Sequence, residues 1–283
     1  MAPFSISGFD LDAFVARVLA EDLGEGGDVT SAATITTDAR LSAVMATRDE
    51  VVVAGLPLAT LFFRALDAEV EIEHCAEEGA HVPAGTVLMR LSGNARNILA
   101  AERSALNSLQ LMTGIATMTR AYADAIVGTG CILLDTRKTI PGLRALSKYA
   151  ARIGGAQNHR MRLDDGILIK DNHVGVTGDI TEAVRAAATA NVGLQIQVEV
   201  DRIGQIEPAL AAGAQRLLLD NMDLATLRQA VELVGGRVPT EASGGVRLDT
   251  IRAIAETGVT YVSVGRITQS APAADIGLDY SKI

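Results

Sequence analysis

The 283-residue sequence has no tryptophan, and aromatic residues make up only 3% of it. With 48% hydrophobic residues, any core must be aliphatic. Only two cysteines occur, Cys75 and Cys131. They are far apart and in no metal-binding or redox spacing; they allow one disulfide at most, and reduced thiols in a cytosolic protein are the simpler reading. Positive charge is also scarce: 25 Lys and Arg against 34 Asp and Glu give a net charge of −9. A broad nucleic-acid surface is thereby excluded, because such surfaces are strongly basic. An anionic ligand would need cations gathered locally. Long apolar runs are missing as well. The uncharged apolar stretch 51–63 falls short of the roughly 20 residues of a membrane span. Residues 1–12 lack a basic start, and Asp10 and Asp12 interrupt them, so no secretory signal is expected.

What is present divides into two textures. The first part reads as mixed α and β. Asp10 can cap a helix running to Leu23, with Gly24 just beyond it. Residues 42–53 read as a strand and 56–66 as a helix. Further short strands are expected at 70–74 and 87–91, around the turn at Pro83-Ala84-Gly85. A helix is expected from Ala95, broken near Thr113-Gly114 and resuming to Val127. From Cys131 onward, short aliphatic runs alternate with Ala-rich helical patterns. The runs are 132–135, 167–170, 195–200, 216–220, 238–243 and 261–265. The helical patterns span 142–153, 181–190, 203–212, 224–234 and 248–256, and a Gly follows most of them. This alternation specifies βα units and a buried parallel sheet. Six strands in roughly 140 residues are too few for an eight-stranded barrel of about 250. Two closures remain, a six-stranded barrel or an open doubly wound sheet, and no G-x-G-x-x-G follows the first strand to favour dinucleotide binding.

Each aliphatic run ends in polar or glycine residues. The ends are Asp135-Thr136-Arg137-Lys138, Lys170-Asp171-Asn172-His173, Glu199, Asp220-Asn221, Glu241-Ala242-Ser243-Gly244-Gly245 and Ser263-Val264-Gly265. Strand ends are often polar simply because loops are wet. In a parallel barrel, however, all six converge on the face that carries the site. Ser243-Gly244-Gly245 and Gly265 leave backbone N–H groups open to an anion, as the loops after the last strands often do, although ordinary tight turns would look the same. Glu199 and Asp220 are hard oxygen ligands suited to Mg²⁺ or to sugar hydroxyls; a structural pair with Lys170 is the plainer alternative. Arg137, Lys138, His159, Arg160 and Lys170 cluster in the first two βα units and suit a polyanion, for which Arg offers bidentate recognition. Arg144 and Arg152, in the helical stretch, read as solvated, and His74 and His81 carry no role.

These residues resemble the quinolinate phosphoribosyltransferase family. Asp135-Thr136-Arg137-Lys138-Thr139-Ile140-Pro141-Gly142-Leu143-Arg144 is similar to its DTRKT-x-PG-x-R signature. Asn158-His159-Arg160 and Leu168-Ile169-Lys170-Asp171-Asn172-His173 resemble its NHR and LIKDNH segments. The likeness extends from Glu21-Asp22-Leu23-Gly24 through Glu102-Arg103-Ser104-Ala105-Leu106-Asn107 to Asp275-Ile276-Gly277-Leu278, nearly the whole chain in order. It implies an N-terminal α/β sandwich (1–114, rejoined by 271–283) and an incomplete six-stranded parallel α/β barrel (115–270). It implies transfer from phosphoribosyl pyrophosphate to quinolinate with loss of CO₂, giving nicotinate mononucleotide for NAD synthesis. Carried over by position, Arg137, His159, Arg160 and Lys170, with Arg103 of a second subunit in a homodimer, would bind quinolinate. Lys138 would face the reacting groups and pyrophosphate, and Glu199 and Asp220 would hold ribose hydroxyls and Mg²⁺. Ser243, Gly244, Gly245 and Gly265 would hold the 5′-phosphate. Three positions depart from the family pattern: Ala156 replaces a third glycine, Arg162 a common Gly and Gln269 a common His.

Other readings stay open on residues alone. A branch associated with molybdenum transport shares the TRKT and HR elements, though an intact LIKDNH segment is not expected there. Lys170 could be a Schiff-base lysine. Residues 79–93 could form a lipoyl-like hairpin, but its turn carries no lysine.

Overall fold

The computed structural model describes residues 4–190 and 192–281. Along the chain come α1 (Leu11–Leu23), α2 (Val29–Thr34), β1 (Arg40–Thr47), β2 (Val51–Val52), α3 (Leu56–Leu66), β3 (Glu71–His74), β4 (His81–Val82), β5 (Val87–Asn94) and α4 (Ala95–Ala125). Next are β6 (Ile132–Leu134), α5 (Arg144–Ile153), β7 (Ile167–Ile169), α6 (Asp171–Thr177), α7 (Ile180–Ala190), β8 (Ile196–Val200) and α8 (Ile206–Ala212). The last are β9 (Arg216–Asp220), α9 (Leu224–Val234), β10 (Thr240–Ser243), α10 (Ile251–Ala255), β11 (Tyr261–Ser263), α11 (Arg266–Gln269) and β12 (Ile276–Ser281).

Two compact units result. One comprises Met1–Met118, Ala145–Gly154 and Ser270–Ile283; the other Thr119–Arg144 and Gly155–Gln269. The first is built on a four-stranded sheet in the order β12-β1-β5-β3. Local chemistry sets its helices. Asp10 caps α1 by accepting from the Ala13 N–H (2.9 Å). The Glu78 carboxylate accepts from the Gly55 and Leu56 N–H groups at the start of α3 (both 2.9 Å), where the orphan donors of a helix need an anion. Tyr149 on α5 donates to the same carboxylate (2.9 Å), so this helix counts with the first unit although the sequence places it within the barrel stretch. The expected break at Thr113-Gly114 is absent, and α4 is continuous. Gly114 has a different reason: a Cβ there would lie 1.9 Å from the Pro272 carbonyl oxygen. The strand expected over 42–53 is divided into β1 and β2.

The second unit is a six-stranded, all-parallel sheet in the order β6-β11-β10-β9-β8-β7. Among the described residues β6 and β7 do not pair with each other; beside β6 runs the segment at Gln157, bridged to Leu134. Strand residues alternate between two environments, as the pleat requires. Ile169, Val198, Val200, Leu217, Leu219 and Ala242 face outward into an aliphatic core shared with α7, α8 and α9. Gln197, Glu199, Arg216, Asp220, Glu241 and Ser243 take the other face. Residues following both end strands line the same cavity, so the sheet is curled into an incomplete barrel rather than laid out as an open doubly wound sheet.

Candidate active site

The C-terminal ends of the six strands enclose a cavity of about 530 Å³. Arg137, Lys138, His159, Arg160, Lys170, Glu199, Asp220, Ser243, Gly244 and Gly245 all line it. Arg103 and Gly265 are not in that lining. Arg103 lies exposed on α4. Gly265 supports the site from beneath, since a Cβ there would meet the Lys138 Cδ at 2.8 Å. A larger residue there would push the lysine chain aside.

The loop after β6 is tightly held. The Thr136 hydroxyl accepts from the Lys138 N–H (3.0 Å), and the Thr268 hydroxyl donates to the Lys138 carbonyl (2.8 Å). Fully buried Asp135 accepts from Asn158 Nδ2 (2.6 Å) and from the His159 N–H (2.8 Å). Arg144 was expected to be solvated. Instead it is half-buried, with Nε donating to the Thr139 hydroxyl (3.3 Å) and Nη1 to the Met161 carbonyl (3.1 Å), lacing two cavity loops together. The Arg160 Nη1 donates to the Gly166 carbonyl (2.7 Å). Burial and then the charge of Arg137 push the Arg160 guanidinium below its ordinary value, partly offset by Asp165. The Arg137 Nε is buried with no hydrogen-bonding partner. Two adjacent cations, one with an unmet donor, suit a dianion chemically.

Lys170 follows β7 and meets Glu199 from β8, Nζ to Oε2, at 2.5 Å. The Lys170 N–H donates to His173 Nδ1 (3.0 Å), so this histidine fixes the turn into α6, a helix that the sequence reading did not anticipate. Asp220, at the end of β9, accepts on Oδ2 from Asn221 Nδ2 (2.6 Å). Among the described residues Asn221 is the only non-glycine with positive φ (54°), a conformation Asn tolerates better than most. Its N–H donates to the Ser243 carbonyl (2.9 Å). Gly244 has φ +96°, and a Cβ there would lie 2.2 Å from the Asn221 Oδ1. Gly245 has φ +58° and open space around its missing Cβ, leaving backbone free for an anion. Arg162, one of the three departures from the family pattern, is exposed and paired with Asp164 (2.8 Å).

Glu241, named above among the polar strand ends but given no role there, lies in the floor of the site. It is fully buried in the barrel interior. Its Oε2 accepts from Arg216 Nη2 (2.6 Å) and Gln197 Nε2 (2.8 Å) and lies 3.5 Å from His159 Nε2. Burial opposes its ionisation. The hydrogen bond and charge of His159, then the charge of Arg216, outweigh burial and bring it down to about 2. The available signal was the period-two polar pattern Gln197/Glu199, Arg216/Asp220 and Glu241/Ser243.

Cations thus follow β6 and β7, carboxylates end β8 and β9, and a glycine turn follows β10. The arrangement is that of an α/β-barrel enzyme whose cavity suits a polyanionic acid and a phosphorylated sugar. Comparison with known proteins narrows the class. Residues 28–113 match the N-terminal domain of quinolinate phosphoribosyl transferase and residues 115–279 its C-terminal domain; the chain belongs to this family. It is 41% identical to the carboxylating nicotinate-nucleotide pyrophosphorylase of Mycobacterium leprae, across 94% of this chain and 95% of that protein. It is 42% identical to the chloroplastic carboxylating nicotinate-nucleotide pyrophosphorylase of Oryza sativa subsp. japonica, across 98% of this chain and 80% of that protein. The crystal structure of nicotinate-nucleotide pyrophosphorylase from Ehrlichia chaffeensis superimposes with a TM-score of 0.93 at 36% identity, covering 97% of this chain and all of that one.

Proposed function

We propose that this chain transfers the phosphoribosyl group of phosphoribosyl pyrophosphate to the ring nitrogen of quinolinate, with loss of CO₂, giving nicotinate mononucleotide for NAD synthesis. The observation that carries this reading is that one cavity is lined by Arg137, Arg160 and Lys170 together with Glu199, Asp220 and Ser243-Gly244-Gly245, in a member of this family.

The cations take the two carboxylates of quinolinate and so aim its ring nitrogen at the sugar. Ser243, Gly244 and Gly245 take the 5′-phosphate through hydroxyl and backbone N–H groups, and Asp220 and Glu199 take ribose hydroxyls. Departure of pyrophosphate leaves positive charge at the anomeric carbon. Lys138, exposed at the cavity rim, balances the negative charge leaving with pyrophosphate. The nitrogen's lone pair forms the new C–N bond and the ring becomes a cation. When the 2-carboxylate leaves as CO₂, its bonding electrons stay on the ring carbon beside that cation, and a proton replaces it. No protein electron sink is needed; orientation supplies much of the rate.

Two carboxylates suit Mg²⁺, which accepts one or two together with substrate oxygens. Among the described residues no group of three or more His, Cys, Asp and Glu could hold a metal, so an ion arriving with the pyrophosphate fits better than a caged one. Bound there, Mg²⁺ would neutralise pyrophosphate charge, with Glu199 and Asp220 as its protein partners. The reading includes a homodimer in which Arg103, exposed on α4, reaches the partner's quinolinate. It also includes a cytosolic location, supported by the free thiols of Cys75 and Cys131. Pairing of Lys170 with Glu199 at 2.5 Å disfavours a Schiff-base lysine, which needs a free amine. The test is incubation of the purified protein with quinolinate, phosphoribosyl pyrophosphate and Mg²⁺, each omitted in turn. Nicotinate mononucleotide should appear only in the complete mixture; its absence there refutes the proposal.

A further inference from the structure

Two carboxylates end adjacent strands at the cavity, and among the described residues each has a single side-chain partner. Glu199 is met by Lys170 Nζ at 2.5 Å, and Asp220 by Asn221 Nδ2 at 2.6 Å. The second contact joins chain neighbours, which in a continuing strand would point to opposite faces. Asn221 meets Asp220 because its backbone turns left-handed, at φ 54°, so the amide comes back beside the carboxylate. A branched or bulky residue would resist that conformation.

The other edge of the amide faces the glycine turn. A Cβ on Gly244 would lie 2.2 Å from Asn221 Oδ1 and 2.5 Å from its Cγ, so Asn221 occupies the space that a side chain at 244 would need. The Asn221 N–H donates to the Ser243 carbonyl at 2.9 Å, and Ser243 is paired with Asp220 in the parallel register of β9 and β10. Asn221 also lines the cavity. We infer that Asn221 is a positioning residue that holds the Asp220 carboxylate and the Ser243-Gly244-Gly245 turn at one mutual distance, so that a sugar phosphate is gripped by its hydroxyls and its phosphate together. The inference rests on the reading that Asp220 and this turn hold those two ends of the phosphoribosyl group.

The plainer alternative is a turn asparagine, present only for its tolerance of the left-handed backbone. Glycine would then serve as well, since it adopts positive φ readily. What glycine lacks is the amide. Without it the half-buried Asp220 loses its partner, and the ordering of that carboxylate falls on ligand binding. Asn221→Asp makes the complementary change. It keeps the shape and the left-handed backbone, but sets a second carboxylate in place of the donor 2.6 Å from the first, and like charges that close repel.

The probe is ribose 5-phosphate, which carries both ends of the proposed ligand, with quinolinate as the second ligand. Dissociation constants are measured by calorimetry on the full-length wild type, Asn221→Gly, Asn221→Asp, Asp220→Ala and the Asp220→Ala/Asn221→Gly double variant. Both Asn221 variants should bind ribose 5-phosphate about tenfold or more weakly, the scale of a hydrogen bond to a charged group. Quinolinate affinity and the melting temperature should stay near wild type. In the Asp220→Ala background the further loss from Asn221→Gly should shrink to about threefold or less, because the amide has no carboxylate left to hold. Wild-type affinity for ribose 5-phosphate in either Asn221 variant, an equal loss for quinolinate, or a loss that multiplies in full with Asp220→Ala overturns the inference. A crystal structure of Asn221→Gly should show the Asp220 carboxylate moved or spread over several rotamers; carboxylate and turn in their wild-type places would overturn the inference whatever the affinities. A wild-type protein that binds quinolinate but not ribose 5-phosphate would refute the phosphoribosyl reading, and the crystal structure would still decide this one.

Discussion

The cavity should tell a dicarboxylate from a monocarboxylate, and the structure sets the scale. Arg137 and Arg160 stand close enough for the charge of one to depress the other, and the Arg137 Nε is buried without a partner. Quinolinate brings two carboxylates to this pair and Lys170. Nicotinate brings one and leaves a partly desolvated guanidinium uncompensated. A fully buried orphan charge costs about 3–5 kcal/mol. Water still reaches this cavity, so about 2–4 kcal/mol is the appropriate range. That corresponds to roughly 30- to 900-fold in kcat/KM. The assay measures kcat/KM for each acid at fixed saturating phosphoribosyl pyrophosphate, scoring nicotinate mononucleotide, which both acids would form. Arg137→Gln should lower use of quinolinate and narrow the ratio, because the orphan charge is gone. A ratio below about fivefold in the wild-type protein, under ~1 kcal/mol, would mean that these cations do not read the second carboxylate.

Glu199→Ala and Asp220→Ala should each weaken phosphoribosyl pyrophosphate use with the fold intact; wild-type kcat/KM for it in either variant removes that residue's role. Gly244→Ala places a methyl 2.2 Å from Asn221 Oδ1 at φ +96°, so KM for phosphoribosyl pyrophosphate should rise about tenfold or more as the turn shifts by about 1 Å, and an unchanged KM would show that the turn does not hold the phosphate. Glu241 is brought from 4.5 to about 2 in the folded protein, so between those values the unfolded chain binds more protons. Its contribution is present above about pH 4.5 and is lost as pH falls toward 2, and urea midpoints at pH 7, 4 and 3 should fall less steeply for Glu241→Gln than for wild type. In the proposed homodimer, Arg103→Ala and Lys138→Ala should each be nearly inactive. After subunit exchange about half the dimers carry one intact site, restoring about a quarter of wild-type activity; activity that stays at the single-variant level after confirmed exchange excludes Arg103 acting across the interface.

The sequence made the catalytic face legible because parallel strands put their chemistry at one end. The run over 216–220 is β9 residue for residue, and Arg137, Lys138, His159, Arg160, Lys170, Glu199 and Asp220 share one cavity. The floor of the site was not legible. Gln197 and Arg216 sit inside short aliphatic runs, and only the period-two alternation marks them as inward-facing, towards Glu241. Gly114 looked like a helix breaker, but nothing local shows that a chain segment 158 positions away will press against it. Arg144 looked solvated because its partners, Thr139 and Met161, lie on loops whose approach is a tertiary fact. Asn221 offered no sign that its backbone would turn left-handed and make the neighbouring turn a glycine site.

The central claim is transfer to quinolinate coupled to loss of its 2-carboxylate, and isotope placement tests it most directly. Purified protein would be given phosphoribosyl pyrophosphate, Mg²⁺ and quinolinate labelled with ¹³C in the 2-carboxylate alone. The account predicts that all label leaves as CO₂, one equivalent for each nicotinate mononucleotide and each pyrophosphate formed. Label retained in the nucleotide, or pyrophosphate released without CO₂, would contradict it.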